Sequence, residues 1–322
     1  MRLLARATAS AELTDLRFLR SAALSQVLDA EVHAWRDRFQ WDFVPSAELV
    51  RRFIDQRVLN GYALVEGERV VGYCYCVGDD PKGLIGDLFV MEPYRTPQNE
   101  HRLLSAAVEL LMHAPGIHRI ETQLMMMDSR PHSDVPGGFF LKTYMRQFMA
   151  VDLGTSGRLP RKALNTISFE GWSDRYQDAA ATVIANAYRG HIDADINDQY
   201  RTVGGARRFL FNIVQYPGCG SFERGASYVA VDRISGEVVG VSLASTVARN
   251  AGHITQICVS PQVRSVGAGY ELLRQSLVAF ESMGYSRCSL TVTSANANAV
   301  RLYERTGFRV VHRFPALVWD GF

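Results

Sequence analysis

Along this chain of 322 residues the rhythm of apolar and polar positions changes in the same order twice, once in each half. In the first half Tyr62-Ala63-Leu64-Val65 and Val70-Val71-Gly72-Tyr73 lie on either side of Glu66-Gly67-Glu68. In the second, Tyr228-Val229-Ala230-Val231 and Val238-Val239-Gly240-Val241 flank a turn through Ser235-Gly236-Glu237. A glycine in a short connection between two strand-like runs predicts a β-hairpin. Ahead of the hairpins, apolar spacing predicts helices, over Glu12 to Gln40 and Ser46 to Asn60 in the first half and over Arg175 to Arg189 and Val203 to Gln215 in the second. A first strand precedes each set, at the start Met1-Arg2-Leu3-Leu4-Ala5-Arg6 and near Asn165 to Phe169. Behind each hairpin the pattern reads strand, loop, long amphipathic helix, strand, shorter helix and closing strand. The predicted fold class is α/β: a mixed, mostly antiparallel sheet with helices on both faces.

The halves also echo each other in letters. Leu88-Phe89-Val90-Met91-Glu92-Pro93 parallels Ile257-Cys258-Val259-Ser260-Pro261, and Gly116-Ile117-His118-Arg119 parallels Gly284-Tyr285-Ser286-Arg287. The shared offset is about half the chain, which reads as a tandem duplication of one domain. Val151-Asp152-Leu153 ends a strand-like run, and Gly154 to Pro160 is polar and marked by Gly and Pro. The expected division is therefore 1–153, a linker 154–164, and 165–322.

Composition changes this picture little. Apolar residues make up 47% and charged residues 21%, and the formal net charge is +2, an ordinary globular balance. Lys and Arg are scattered, without the basic aromatic surface of a nucleic-acid binder. No apolar stretch reaches the length of a membrane span. Arg6 interrupts the apolar start and Glu12 and Asp15 follow, so the start reads as a strand and not as a targeting segment. Five cysteines, an odd number with three in strand-like runs, suit a reducing cytoplasm. Cys74-x-Cys76 is half of a metal site that no second cluster completes, so no metal is expected. Met125-Met126-Met127 reads as core.

Candidate chemistry begins after Val259-Ser260-Pro261. Arg264-Ser265-Val266-Gly267-Ala268-Gly269 turns the chain, and Tyr270 to Ser282 has helical apolar spacing. Strand, glycine loop and helix together aim backbone N–H groups and the positive helix end at one place, which makes an anion site. Gly267 and Gly269 would let a pyrophosphate approach the main chain closely. The plainer reading is a helix entry that needs glycine for its turn. The spacing Arg-x-x-Gly-x-Gly is neither a dinucleotide fingerprint nor a P-loop.

Further on, Asn296-Ala297-Asn298-Ala299-Val300-Arg301-Leu302-Tyr303-Glu304-Arg305-Thr306-Gly307-Phe308 resembles the Asn-x-x-Ala-x-x-Leu-Tyr-x-x-x-Gly-Phe signature of the GNAT family of N-acetyltransferases. The glycine loop lies at that family's distance upstream, and the resemblance covers residues 165–322. One departure is Ser265, where the family often has Gly. The resemblance implies an acetyl-CoA-dependent N-acetyltransferase, with no metal, that acts on a small-molecule or peptide amine by direct attack in a ternary complex. It places Ile257, Cys258 and Val259 along the pantetheine arm, with the amide near Cys258 polarising the thioester carbonyl. It makes Arg264, Ser265, Val266, Gly267, Ala268, Gly269 and Tyr270 the pyrophosphate loop, and Asn296 a further cofactor contact. Tyr303 is then the acid that protonates the departing thiolate, or else plain packing beside Phe308.

The base is expected at His253, which opens the strand Gly252-His253-Ile254-Thr255-Gln256-Ile257-Cys258; the alternative is a histidine at a strand end. Strand alternation puts His253, Thr255 and Ile257 on one face. Gly190-His191-Ile192-Asp193-Ala194-Asp195-Ile196-Asn197-Asp198 lies where the family borders its acceptor pocket. His191, Asp193 and Asn197 either bind a cationic amine or form a solvated capping loop. Pro217-Gly218-Cys219-Gly220 borders the same region.

The first half departs from the signature. Its loop, Tyr94-Arg95-Thr96-Pro97-Gln98-Asn99-Glu100-His101, has no glycine, a proline that removes a donor and a glutamate that repels phosphate. It reads as a degenerate copy, and the active site is expected in the second half. A reading of a different class is an acyl-CoA-binding regulatory or scaffold protein whose chemistry has lapsed.

Overall fold

The computed structural model describes residues 11–79, 81–129, 131, 134–154, 159–216 and 220–322. The expected strand at Met1 to Arg6, and Pro217 to Cys219, lie outside the described residues. In chain order the first elements are β1 (Glu12–Asp15), α1 (Ser25–Phe39), α2 (Val44–Asp55), β2 (Asn60–Glu66), β3 (Arg69–Asp79), β4 (Lys82–Val90), α3 (Pro97–Met112), β5 (Arg119–Gln123) and β6 (Leu141–Asp152). There follow β7 (Ile167–Gly171), α4 (Gln177–Ala187), α5 (Ile192–Ile196), α6 (Val203–Gln215), β8 (Ser221–Phe222), β9 (Tyr228–Asp232), β10 (Val238–Ala248), β11 (Ala251–Val259), α7 (Ala268–Ser282), β12 (Arg287–Thr293), α8 (Ala297–Arg305) and β13 (Arg309–Asp320).

These elements form two compact units. The first is the described part of Met1–Ala34 with Phe43–Thr143 and Phe314–Phe322; the second is Trp35–Asp42 with Tyr144–Arg313. The units depart from the sequence division at 153 in their closing strands. Most of β6, coded in the first half, pairs antiparallel with β12 in the second unit, Arg146 to Asp152 against Thr293 to Arg287. The end of β13, coded in the second half, pairs with β5 in the first unit, Ala316 to Asp320 against Gln123 to Arg119. An apolar alternation says that a segment is a strand but does not name its neighbour, so the exchange has no mark in the sequence.

In the first unit the strands run β1-β2-β3-β4-β5 and then the end of β13, antiparallel except for β4 beside β5. A strand stands at Glu12 where a helix was expected. Asp15 stays extended and accepts from Arg17 N at 2.8 Å, and α1 begins only at Ser25. Helix α3 starts on Thr96, whose hydroxyl accepts from Asn99 N, with Pro97 in its first turn. It buries Leu103, Leu104, Ala107, Val108 and Leu111 against Cys74, Leu88, Ile120, Leu317 and Trp319. The shorter helix expected before the closing strand is absent from the described residues of this unit; a 3-10 turn, Gly138–Phe140, stands there.

In the second unit the order is β6-β12-β11-β10-β9-β7, with β8 beside β10. Only β11 and β12 run parallel. Helix α7 buries Leu272, Leu273, Leu277 and Phe280, at helical spacing. Helices α4 and α6 bury Ala180, Ala181, Ile184, Ala206 and Leu210 against Val229, Val241 and Leu243.

Candidate functional site

Two irregularities in β11 build the site. Its parallel pairing with β12 runs from Ala251–Arg287 to Ile254–Leu290 and ends there, while β11 continues to Val259. The two strands therefore part beyond Ile254, and the backbone of the last turn of β11 is left open on that edge. The second irregularity is a bulge: Leu243 faces Gln256 but Ala244 faces Ile254, so Thr255 is an extra residue. His253 consequently faces Ser245 and Ile257 faces Ser242, three positions apart on β10. An odd spacing on a regular strand means opposite faces. The expectation of one shared face for His253, Thr255 and Ile257 is thus corrected, and the bulge is the cause.

Between the parted strands and α7 lies a cleft of 690 Å³. Ile257, Cys258, Val259, Arg264, Ser265, Gly267, Gly269, Tyr270 and Asn296 line it, all named from the sequence, together with His191. Val266, Ala268, Tyr303, His253, Asp193 and Asn197 are not among the lining residues. Ala268 is buried beneath the helix start and Val266 is exposed.

The loop explains its own composition. Ser265 and Gly267 both take positive φ, 65° and 103°. The departure from Gly at 265 therefore puts a β-carbon into a left-handed conformation, a cost of about 1 kcal/mol. Helix α7 has no side-chain cap, so its first amides are available to an anion. A Cβ at Gly269 would meet nothing nearer than Val259 at 3.9 Å. The fold does not need glycine there, whereas a ligand pressed against the main chain would. Arg264 donates to Ala187 O at 2.6 Å, at the end of α4.

Among the described residues, four cations line the cleft: Lys162, Arg264, Arg301 and Arg305. Sequence reading missed three of them. Arg301 and Arg305 are one helical turn apart inside the motif segment, a signal that was there to be read. Lys162 had none, since it was taken as linker. Tyr270 donates to Pro160 O at 2.8 Å and Lys162 N donates to Glu271 at 3.1 Å, which folds the linker back over the start of α7. The Lys162 ammonium then lies beside Gly267, 2.6 Å from where a Cβ would stand.

Asn296 caps α8, its Oδ1 accepting from Ala299 N at 3.2 Å, and its Nδ2 lies 3.3 Å from His191 Nε2. Asp193 accepts from Thr293 Oγ1 with one oxygen, and its other is 3.5 Å from His191 Nδ1. Asn197 is spent on a cap, accepting from Gln199 N at 3.1 Å. Tyr303 packs beside Phe308, ring centroids 6.0 Å apart. Burial, helped by Asp193 and Cys258, pushes its phenol well above the ordinary range, so it holds its proton. Burial likewise raises the Cys258 thiol to about 12.

His253 lies away from the cleft. Its ring sits 5.0 Å from Trp41 and 6.1 Å from Phe148, and Nδ1 is 2.9 Å from Ser289 Oγ. Ser289 donates to Gly252 O, so its oxygen is the acceptor from Nδ1–H. Burial, with Arg146 adding to it, lowers the imidazole to about 3 and keeps it neutral.

With this geometry in hand, likeness to known proteins becomes informative. Residues 195–308 match the model of the Acetyltransferase (GNAT) family. Among solved structures, a GCN5-related N-acetyltransferase from Sphaerobacter thermophilus shares 18% identity over 95% of both chains, with a TM-score of 0.62. A tandem GNAT protein from the clavulanic acid biosynthesis pathway shares 14% identity over 97% of this chain and 98% of that one, at 0.59. A GNAT-family acetyltransferase from Colwellia psychrerythraea shares 12% over 96% and 100%, at 0.51. No curated protein matches the chain. At these identities the likeness extends to the fold, which is that of tandem GNAT proteins. No helix among the described residues is long and apolar enough to cross a membrane, and no group of metal-binding side chains occurs among them.

Proposed function

We propose that the second half of the chain, whose residues 195–308 match the model of the Acetyltransferase (GNAT) family, transfers the acetyl group of acetyl-CoA to a primary amine by direct attack in a ternary complex. The observation that carries this reading is the coincidence, in one cleft, of the uncapped α7 start, the parted edge of β11 and the amide of Asn296. The α7 amides and the lining cations hold the diphosphate. The open edge at Ile257, Cys258 and Val259 takes the amide-bearing arm as an added strand takes a partner. The thioester supplies an activated acyl carbon, and in this reading the Cys258 amide polarises its carbonyl. Tyr303, kept protonated by burial, supplies the proton that the sulfur needs on leaving. Small-molecule or peptide amines are the acceptors, and the protein works in the cytoplasm without a metal.

The test is release of free thiol from acetyl-CoA in the presence of a panel of amines, with acetyl-CoA affinity followed by calorimetry. Wild-type chain should bind acetyl-CoA and release thiol with at least one amine. Tyr303→Phe should lower kcat by about tenfold to a hundredfold with cofactor affinity nearly intact. Binding without release for every amine would instead support a lapsed, acyl-CoA-binding protein.

A further inference from the structure

Beside the cleft lies a second cavity, of 630 Å³, between the linker, β7 and the first turns of α7. Among the described residues, Lys162 alone lines both. The cavity gathers three cations from two distant parts of the chain: Arg161 and Lys162 from the linker, and Arg233 from the turn after β9. Backbone bonds bring them there. Lys162 N donates to Glu271 at 3.1 Å, and Arg233 N donates to Thr166 O at 2.8 Å, just ahead of β7. None of the three side chains has a hydrogen-bond or ion-pair partner among the described residues.

Among the described lining residues the acid is Glu271, and its oxygens are already filled. Oε1 accepts from Arg274 at 2.7 Å and from Gln275 at 3.2 Å; Oε2 accepts from Arg274 at 2.9 Å and from the Lys162 amide. Arg274 thus balances this carboxylate, and the three cations keep their charge. Asp232, next to Arg233 in sequence, serves its own turn, accepting from Ile234 N at 2.8 Å and Ser235 N at 2.9 Å. Like charges gathered around one space repel one another, and an anion in that space removes the repulsion. A carboxylate would engage one guanidinium fork. A phosphomonoester, near −2 at neutral pH and with three acceptor oxygens, matches two guanidinium groups and an ammonium. Half-buried Phe169 gives the body of such a molecule an apolar wall.

We propose that this cavity is a second anion site, that it takes a phosphomonoester group, and that it is coupled to the cleft through Lys162. The site itself stands apart from the acetyltransferase reading; its coupling to coenzyme A rests on it. The group has two sources: the 3′-phosphate of coenzyme A, carried on the ribose next to the diphosphate, or a free phosphorylated metabolite. One ammonium cannot serve in full both an anion at Gly267 and a separate anion in the cavity, so two separate ligands oppose each other. Linkage makes the opposition reciprocal, and its size is bounded by what Lys162 contributes to either ligand.

The experiment titrates phenyl phosphate into the full chain by calorimetry, with the cleft filled by dephospho-coenzyme A, which has the diphosphate but no 3′-phosphate. Phenyl phosphate should bind, and Arg233→Ala should weaken it about tenfold, with Arg161→Ala as the second variant. Neither residue lines the cleft, so affinity for dephospho-coenzyme A should stay within about twofold in both, which also reports on folding. Saturating phenyl phosphate should weaken dephospho-coenzyme A by no more than Lys162→Ala does, and in the Lys162→Ala chain this coupling should vanish. Repeating the titration with coenzyme A separates the sources. Exclusion of phenyl phosphate, with Arg233→Ala now weakening coenzyme A itself, assigns the site to the 3′-phosphate; binding as before assigns it to a free metabolite. No binding, or binding that both alanine variants leave unchanged, overturns the site. Coupling that survives Lys162→Ala overturns its link to the cleft. A chain that binds phenyl phosphate through Arg233 but binds no coenzyme A overturns the acetyltransferase reading and keeps the site.

Discussion

The two units share a scaffold and differ in what closes it. In both, a strand bulges and then parts from its parallel neighbour: β11 at Thr255 and β4 at Gly86, the extra residue between Tyr75–Asp87 and Cys76–Ile85. In the second unit the opening is lined by cations and by a helix start with no side-chain cap. In the first, protein groups take those places. Thr96 caps α3. Arg95 donates to Val90 O at 3.2 Å, at the end of β4, and to Asp128 at 3.1 Å, beyond β5, so one side chain ties the two edges together. Glu100, buried in the first turn of α3, accepts from Ser129 N at 3.1 Å and from Ser129 Oγ. Glu271 is buried at the same first-turn position of α7, so this carboxylate is common to the two units, and the cap and the Arg95 tie are what differ. The comparison teaches that the cleft depends on leaving donors unmet, and that a few polar side chains suffice to close it.

The largest effect should come from closing the open unit. Gly267→Val puts a β-branched residue at a φ of 103°, where such residues scarcely occur, and fills the space before the α7 amides. Acetyl-CoA affinity by calorimetry should fall more than about 100-fold, or roughly 2.7 kcal/mol. The matching change in the first unit, Asn99→Val, should leave affinity unaltered. Equal losses would mean that both units bind, and the contrast drawn from Thr96 and Arg95 would fail.

A smaller effect sharpens the same contrast on the cation side. Lys162→Ala should weaken acetyl-CoA binding about tenfold, the order expected for one charge-assisted hydrogen bond, with KM for acetyl-pantetheine, which lacks the diphosphate, unchanged. Arg95→Ala should not change either quantity. Loss with both cosubstrates would place Lys162 in the architecture of the linker and not at the phosphates.

How much of this could be read from the letters depends on what each feature is made of. The hairpins were legible because Gly67 and Gly236 sit between alternating runs, and α6 was predicted at its observed bounds, Val203–Gln215. The cleft was legible because its glycines and Asn296 are chemistry as well as structure. The bulge at Thr255 was not, since an inserted residue leaves the composition of a strand intact while reversing every face before it; that is why His253 was assigned to the face of Ile257. Lys162 was hidden because its position comes from two contacts made by the folded linker, Tyr270 to Pro160 and Lys162 to Glu271. The first unit's last helix was expected because the duplication suggested a symmetry that the described residues among 124–137 do not keep.

The smallest predicted effect separates the units by the sign of their pH response. In the second, burial lowers His253 to about 3, below the ordinary 6.5 of an unfolded chain. Its contribution is complete above 6.5 and declines as pH falls from there toward 3, because the unfolded chain takes the proton first. In the first unit burial raises Asp87 to about 6, against hydrogen bonds from Glu31 and the Leu88 amide. There the unfolded carboxyl ionises first, so stability is complete below about 4 and declines as pH rises toward 6. Going from pH 7 to pH 5.5 should cost the second unit about 1 kcal/mol through His253 alone, while the first gains. Hydrogen exchange resolved by peptide, corrected for the intrinsic pH dependence of exchange, reads each unit separately. His253→Gln should flatten the trend in β11 and β12, and Asp87→Asn the opposite trend in β3 and β4. Trends of the same sign in both units would mean that at least one of the buried groups does not govern its own half.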